Sequence, residues 1–339
     1  MNQTSQQKSD NIFSSLLFFS FLLTFLTVVL SAYIRLSVSG VGCSEWPACY
    51  GTAISNVEHR GVAVLTEVSA EMQHIGARVA HRIIASLLGL MVVVITFIAW
   101  RRRKTIHFSV LIPTALLGIT IFLSVLGYLT PSPLVPIVTV MNLIGGMGML
   151  AILWWMVQRS AKGSEQLEIT NNKSLNRFVL LGILILSLQI VFGGWVSSNY
   201  AAASCPDIFG CGQSWSFNSA LDGLNPQREL QTDSNNNVIM SDVMSSLHMI
   251  HRLWAGLTAL YLIWLATSVI RKHQNLRPTG ITILVLLVVQ IALGLINVVS
   301  HMPLNLVTAH NMVAALLLLA VINLYHLVTP LNRYKDERQ

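Results

Sequence analysis

Long apolar runs, broken by short basic segments and by two longer polar ones, organise this sequence. Eight of them are long enough to cross about 30 Å of hydrocarbon at about 1.5 Å per residue. They lie near 12–38, 74–100, 107–129, 135–158, 177–198, 246–270, 280–299 and 305–328. The pattern predicts an all-α integral membrane protein. Composition agrees: 53% of the 339 residues are hydrophobic and 10% charged, where a soluble domain carries about a quarter charged. The polar start, MNQTSQQKSDN, holds one Lys, and the run after it is too long for the apolar core of a signal peptide. No cleaved leader is expected.

Charge sets the orientation. Lys8, the run Arg101 to Lys104, Arg159, Lys162, Lys173, Arg177, Arg271, Lys272, Arg277, Arg333, Lys335 and Arg338 all fall on one side. They make up fifteen of the 21 Lys and Arg. Basic residues in short loops mark the cytoplasmic face, so both termini are expected there. The formal net charge of +7 is an orientation signal and does not point to nucleic acid. Two long loops, near 39–73 and 199–245, face outward. They hold all four cysteines: Cys43 and Cys49, then Cys205 and Cys211. Cysteines confined to the outer face suggest disulfides, most simply within each loop, with free thiols as the other reading. A zinc site would need a second ligand pair at suitable spacing, and none follows.

The chain repeats itself. AYIRLSVSGVGCSEWPAC (32–49) parallels GWVSSNYAAASCPDIFGC (194–211), each reaching its first Cys ten residues after an aromatic, Tyr33 or Trp195. His-Arg-x-x-Ala recurs in AHRIIASLLGL (80–90) and IHRLWAGLTAL (250–260), at an offset of 170. LTPSPLVPIVTVMN (129–142) parallels SHMPLNLVTAHN (300–311). Three matches in one order predict two tandem four-helix bundles, 12–158 and 177–328, joined by a cytoplasmic linker, 159–176. Four spans return the chain to its starting side, so the repeats are parallel.

Polar side chains inside a bilayer are costly and mark function. His251 and His310 each lie about six residues inside their spans, so both imidazoles sit roughly 9 Å below the outer surface. Two neutral imidazoles at one level can clamp a haem iron from its two faces. Zinc would need a third or fourth ligand, and Met-rich or Cys-rich copper ligation fits no better. A lone membrane histidine is often a packing residue; the matched pair, with Arg252 beside His251, favours haem. A guanidinium there could fork onto a haem propionate, and Ala255 and Gly256 would leave room for a flat ring.

The first copy has His81 and Arg82 at the matching positions. Its span 4 partner is open: one alignment places Met141 opposite His310, another Asn142. Upstream, Glu71, His74 and Arg78 fall at helical spacings, and His74 shares a face with His81. Glu71 and His74 could relay protons into that cavity, with His74 also a candidate iron ligand, or form only a solvated helix end. His248 reads as a rim residue, and His59, His107, His273, His301 and His326 are given no chemistry.

These residues resemble the haem A synthase family, bacterial type. The likeness covers nearly the whole chain through RLSVSGVGCSEWPACYG, HRIIASLLGL, GGWVSS, the second cysteine pair, HRLWAGL and PLNLVTAHNMVAALLLL. It implies haem b in the C-terminal half and haem O, the substrate, in the N-terminal half. The reaction it implies oxidises the C8 methyl group to the formyl group of haem A for terminal oxidase assembly, by successive hydroxylations. His251 and His310 would then be the haem b ligands, His81 a ligand to the substrate haem, and Arg82 and Arg252 propionate partners. Cys43 with Cys49, and Cys205 with Cys211, match its disulfide positions. Two positions depart from its pattern: Met141 or Asn142 replaces a span 4 His, and Arg78 replaces the Glu of Glu-x-x-His-Arg. The expected setting is the bacterial inner membrane, in contact with lipid. The expected partners are an electron donor or acceptor and haem O synthase, with self-association left open. The alternatives are a non-catalytic haem b cytochrome, a relative with an altered haem substrate, and a transporter built on parallel repeats.

Overall fold

A computed structural model describes residues 3–38, 65–104, 106, 108–129, 136–160, 173–208, 210–211, 214–226, 228, 230–231 and 239–329; at 3–9, 38, 65–75, 128–129 and 203 it describes the backbone alone. Among these residues the chain is helical and holds no strand. The long helices are α1 (Gln3–Val38), α2 (Leu65–Arg101), α3 (Leu111–Leu129), α4 (Pro136–Ser160) and α5 (Lys173–Ser198). A short α6 (Phe217–Gly223) precedes α7 (Asp242–Lys272), α8 (Arg277–Val299) and α9 (Leu304–Val328).

Local chemistry sets their ends. Pro136 opens α4, Pro278 falls in the first turn of α8 and Pro303 caps α9, positions where the missing N–H costs no helical bond. Asp242 in the first turn of α7 and Arg271 with Lys272 in its last complement the helix dipole. Several helices run past their apolar stretches. The α2 helix begins at Leu65, well before the expected start near 74, because backbone hydrogen bonding does not stop at the hydrocarbon boundary. Among the described residues seven helices are long and apolar enough to cross a membrane; in α3 the apolar part, Leu111–Gly127, is shorter.

The helices close two rings. In the first, α1 packs on α2 and α4, and α3 packs on α2 and α4; in the second, α5 packs on α7 and α9, and α8 packs on α7 and α9. The rings meet where α9 lies against α1 and α4, and α4 against α5. Helix α9 therefore has neighbours on nearly every side: 61% of its apolar window is buried, against 22–33% in the other six spans. A core of Leu17, Phe21, Leu150, Leu153, Leu317 and Leu318 fills this junction. Polar contacts stitch it together. Trp154 Nε1 donates to the Leu319 carbonyl (3.2 Å), Arg159 Nη2 to that of Thr329 (2.8 Å), and the Gln158 amide to Asn323. In an apolar surrounding such pairings fix which faces meet.

Candidate functional site

The second ring brings His251 and His310 together. They lie on α7 and α9, opposite members of that ring. The two remaining helices each send in one amide. Gln189 Nε2 on α5 donates to His251 Nδ1 (3.2 Å), and Gln290 Nε2 on α8 donates to His310 Nε2 (3.1 Å). Each imidazole also lies against a glycine one turn from that glutamine. A Cβ on Gly193 would stand 3.1 Å from His251 Cε1, and one on Gly294 3.3 Å from His310 Cε1. Both rings thus occupy room that any larger residue would take away.

The site fits a haem iron better than a bare ion. Among the described residues no three His, Cys, Asp or Glu side chains converge, and a bare ion needs three or four ligands. Iron in a porphyrin brings its own four equatorial nitrogens and asks the protein for two. Among the described residues the buried oxygens of Gln189 and Gln290, and Nδ1 of His310, have no hydrogen-bond partner. Such orphans cost about 1–3 kcal/mol each, which a rearrangement around a bound group would relieve.

Arg252 does something the sequence did not suggest. Its Nη1 donates to the carbonyls of Asp207 (2.8 Å) and Ile208 (3.0 Å), and its Nη2 to that of Cys205 (2.9 Å). It clasps the loop that the Cys205–Cys211 disulfide closes. His248 is buried and is no rim residue. Its Nδ1 donates to the Ala201 carbonyl (3.1 Å). Trp195 Nε1 donates to the Gly223 carbonyl (2.6 Å), tying α6 over the same end of the ring.

The first ring holds an open cleft made of two adjoining cavities of about 280 and 270 Å³ that share Ser31, Arg35, His81 and Asn142. His81 and Asn142 therefore face one space; Met141, half-buried, does not line it. The register of α4 thus sets Asn142, of the two, in the cleft wall. The mouth carries Arg35, Arg78 and Arg82, and no described acidic side chain lines either cavity. That charge suits carboxylates. The second half contributes to this mouth through Ser197, Ser198 and Tyr200.

Glu71 and His74 lie on α2, with side chains outside the described set, and Cys43 and Cys49 lie outside the described residues altogether. Sequence reasoning missed Gln189, Gln290, Arg35 and Tyr200. The two glutamines left a signal: each is an amide within an apolar span, four residues before a glycine.

The family described as Cytochrome oxidase assembly protein matches residues 14–322. The chain belongs to that family, the haem A synthases. It is 31% identical over 307 residues to the Heme A synthase of Shewanella oneidensis, covering 89% of this chain and 92% of that one. A Heme A synthase of Rhizorhabdus wittichii is 29% identical over 146 residues, 42% of this chain and 38% of the relative. With its seven long apolar helices this member of the family is a multi-pass membrane protein.

Proposed function

We propose that the protein is a haem A synthase, an oxidoreductase that converts the C8 methyl group of haem O to a formyl group. One observation carries the reading: the matched imidazoles His251 and His310 in one ring, beside a cleft in the other ring with His81 and three guanidinium groups. Similarity along 89% of the chain to a protein named Heme A synthase weighs against a non-catalytic cytochrome. The net change adds one oxygen atom and removes four electrons and four protons from methyl and water together, and the electrons pass to an external acceptor.

The half spanning 177–328 is the haem b half, and the half spanning 12–158 holds the substrate. Haem b bound by His251 and His310 would supply one-electron transfer. Glycines 193 and 294 keep space for the two rings, and Gln189 and Gln290 hold the imidazoles until the group enters. In the first half His81 approaches the iron of the substrate haem, Asn142 faces it from α4, and Arg82 with Arg35 and Arg78 pairs with its propionates. Glu71 and His74, upstream on the same helix, pass protons to the outer side. Cys43 and Cys49 form the second outer disulfide. The chain crosses a bacterial inner membrane eight times, α3 included, with both termini in the cytoplasm. Haem O synthase and an electron carrier are its partners.

Expression in membranes that make haem O, followed by chromatography of the extracted haems, tests the activity. Haem A should appear with the wild type and fall sharply with Glu71→Ala; recovery of haem O alone would remove the catalytic assignment.

A further inference from the structure

The two halves differ at four equivalent positions. Trp195 stands 162 residues after Tyr33, which pairs Gln189 with Thr27 and Gly193 with Ser31. Pro303 stands 170 after Pro133, which pairs Gln290 with Thr120 and Gly294 with Ser124. In the second half these are the residues that clasp and make room for the two imidazoles. In the first half all four are hydroxyl residues, and all four line the cleft. Replacing two long amides by short hydroxyls is what leaves the space open.

Their hydrogen bonds fix what they can recognise. Thr27 Oγ1 donates to the Leu23 carbonyl (2.7 Å), Thr120 Oγ1 to that of Leu116 (2.9 Å) and Ser124 Oγ to that of Thr120 (2.8 Å). A hydroxyl that gives its proton to the preceding turn keeps its lone pairs. Thr27, Thr120 and Ser124 therefore offer acceptors to the cleft, and an acceptor wall favours a ligand group that donates. Carboxylates are served elsewhere, by the guanidinium groups at the mouth. Ser31 and Thr27 lie one and two turns below Arg35, about 6 and 12 Å deeper, so acid edge and hydroxyl edge would bind at different levels.

We propose that Thr27, Ser31, Thr120 and Ser124 form a subsite that accepts hydrogen bonds from a hydroxyl group on the rim of the substrate porphyrin. The inference rests on the haem A synthase reading above. The hydroxyl has two sources with the same chemistry: the hydroxyalkyl side chain that haem O has and haem b lacks, or the alcohol formed when the methyl is first oxidised. In either case the subsite discriminates, because a methyl or vinyl group has no proton to give.

The test uses the full chain in membranes supplied with haem O, comparing wild type with Thr27→Val/Thr120→Val and with Ser31→Ala/Ser124→Ala. Retention of the haem absorbance of the second half reports folding. The serine pair covers a failure of the threonine pair, because glycine occupies the equivalent positions of the other half. A lost hydrogen bond corresponds to about fivefold. A KM for haem O raised about fivefold, with inhibition by added haem b unchanged, assigns the subsite to the side-chain hydroxyl. An unchanged KM with an about fivefold higher ratio of released alcohol to formyl product assigns it to the intermediate. Wild-type KM and product ratio in a variant that keeps its absorbance overturn the proposal. Absence of formyl product from the wild type would instead overturn the parent reading.

Discussion

Arg35 on α1 donates from Nη2 to Oδ1 of Asn311 on α9, 3.1 Å away. Asn311 directly follows His310, and Arg35 lines the cleft of the other half. One hydrogen bond thus joins the wall of the proposed substrate cleft to the helix that carries a proposed iron ligand. A charged hydrogen bond of this kind contributes about 1.5–3 kcal/mol. Arg35→Leu should raise the KM for haem O about tenfold or more, while Arg35→Lys recovers only part, having one point charge and no planar fork. Steady-state assays in membranes would measure both, and an unchanged KM in Arg35→Leu would separate the mouth from substrate binding.

The paired imidazoles make a spectroscopic prediction. His251→Ala and His310→Ala should each abolish the low-spin haem absorbance of the purified protein. Gly193→Val should do the same without touching a ligand, because its side chain would enter the space now held by His251. Normal spectra in Gly193→Val would mean that this contact is incidental.

Arg252 and the Cys205–Cys211 disulfide hold one loop by different means. The crosslink closes a short loop, worth about 2 kcal/mol. Because Arg252 binds the carbonyls of Cys205, Asp207 and Ile208, its contribution depends on that loop staying folded. Thermal unfolding of Arg252→Ala, Cys205→Ser/Cys211→Ser and their combination should give a non-additive cycle, with coupling of about 1 kcal/mol. Strict additivity would show the two restraints to be separate.

Tyr200 gives a pH dependence. Burial at the mouth of the cleft pushes its phenol up to about 12 from the ordinary 10. Below pH 10 both folded and unfolded forms keep the proton, and the stabilisation is whole. Between pH 10 and 12 the unfolded chain loses the proton first, so stability falls as pH rises. Tyr200→Phe should flatten that fall in unfolding curves measured across this window. An equally steep loss in the variant would assign it to other groups.

The sequence carried the membrane helices because each needs only a sufficient apolar length, a local property of the chain. It carried the repeat for a similar reason: the halves keep short motifs in one order. It also exposed His81, His251 and His310, since an imidazole in an apolar run stands out. The face of a helix was less legible. VTVMN allows Met141 or Asn142 to look inward, and the packing of α4 on α1, α3, α5 and α9 sets Asn142 in the wall of the space that His81 also lines. Arg252 reads as a propionate partner because its neighbour is His251; its bonds to carbonyls some 45 residues away in the chain come from the fold alone.

What the sequence determined alone was therefore composition, span length, repeat and the chemical type of the buried groups. The tertiary structure decided which groups meet. Helix α9 shows the reason most directly: it packs on both rings, so adjacent residues serve different halves, His310 meeting Gln290 of the second and Asn311 reaching Arg35 of the first. Adjacent positions on a helix point about 100° apart, and what each direction encounters depends on neighbours brought in from distant parts of the chain.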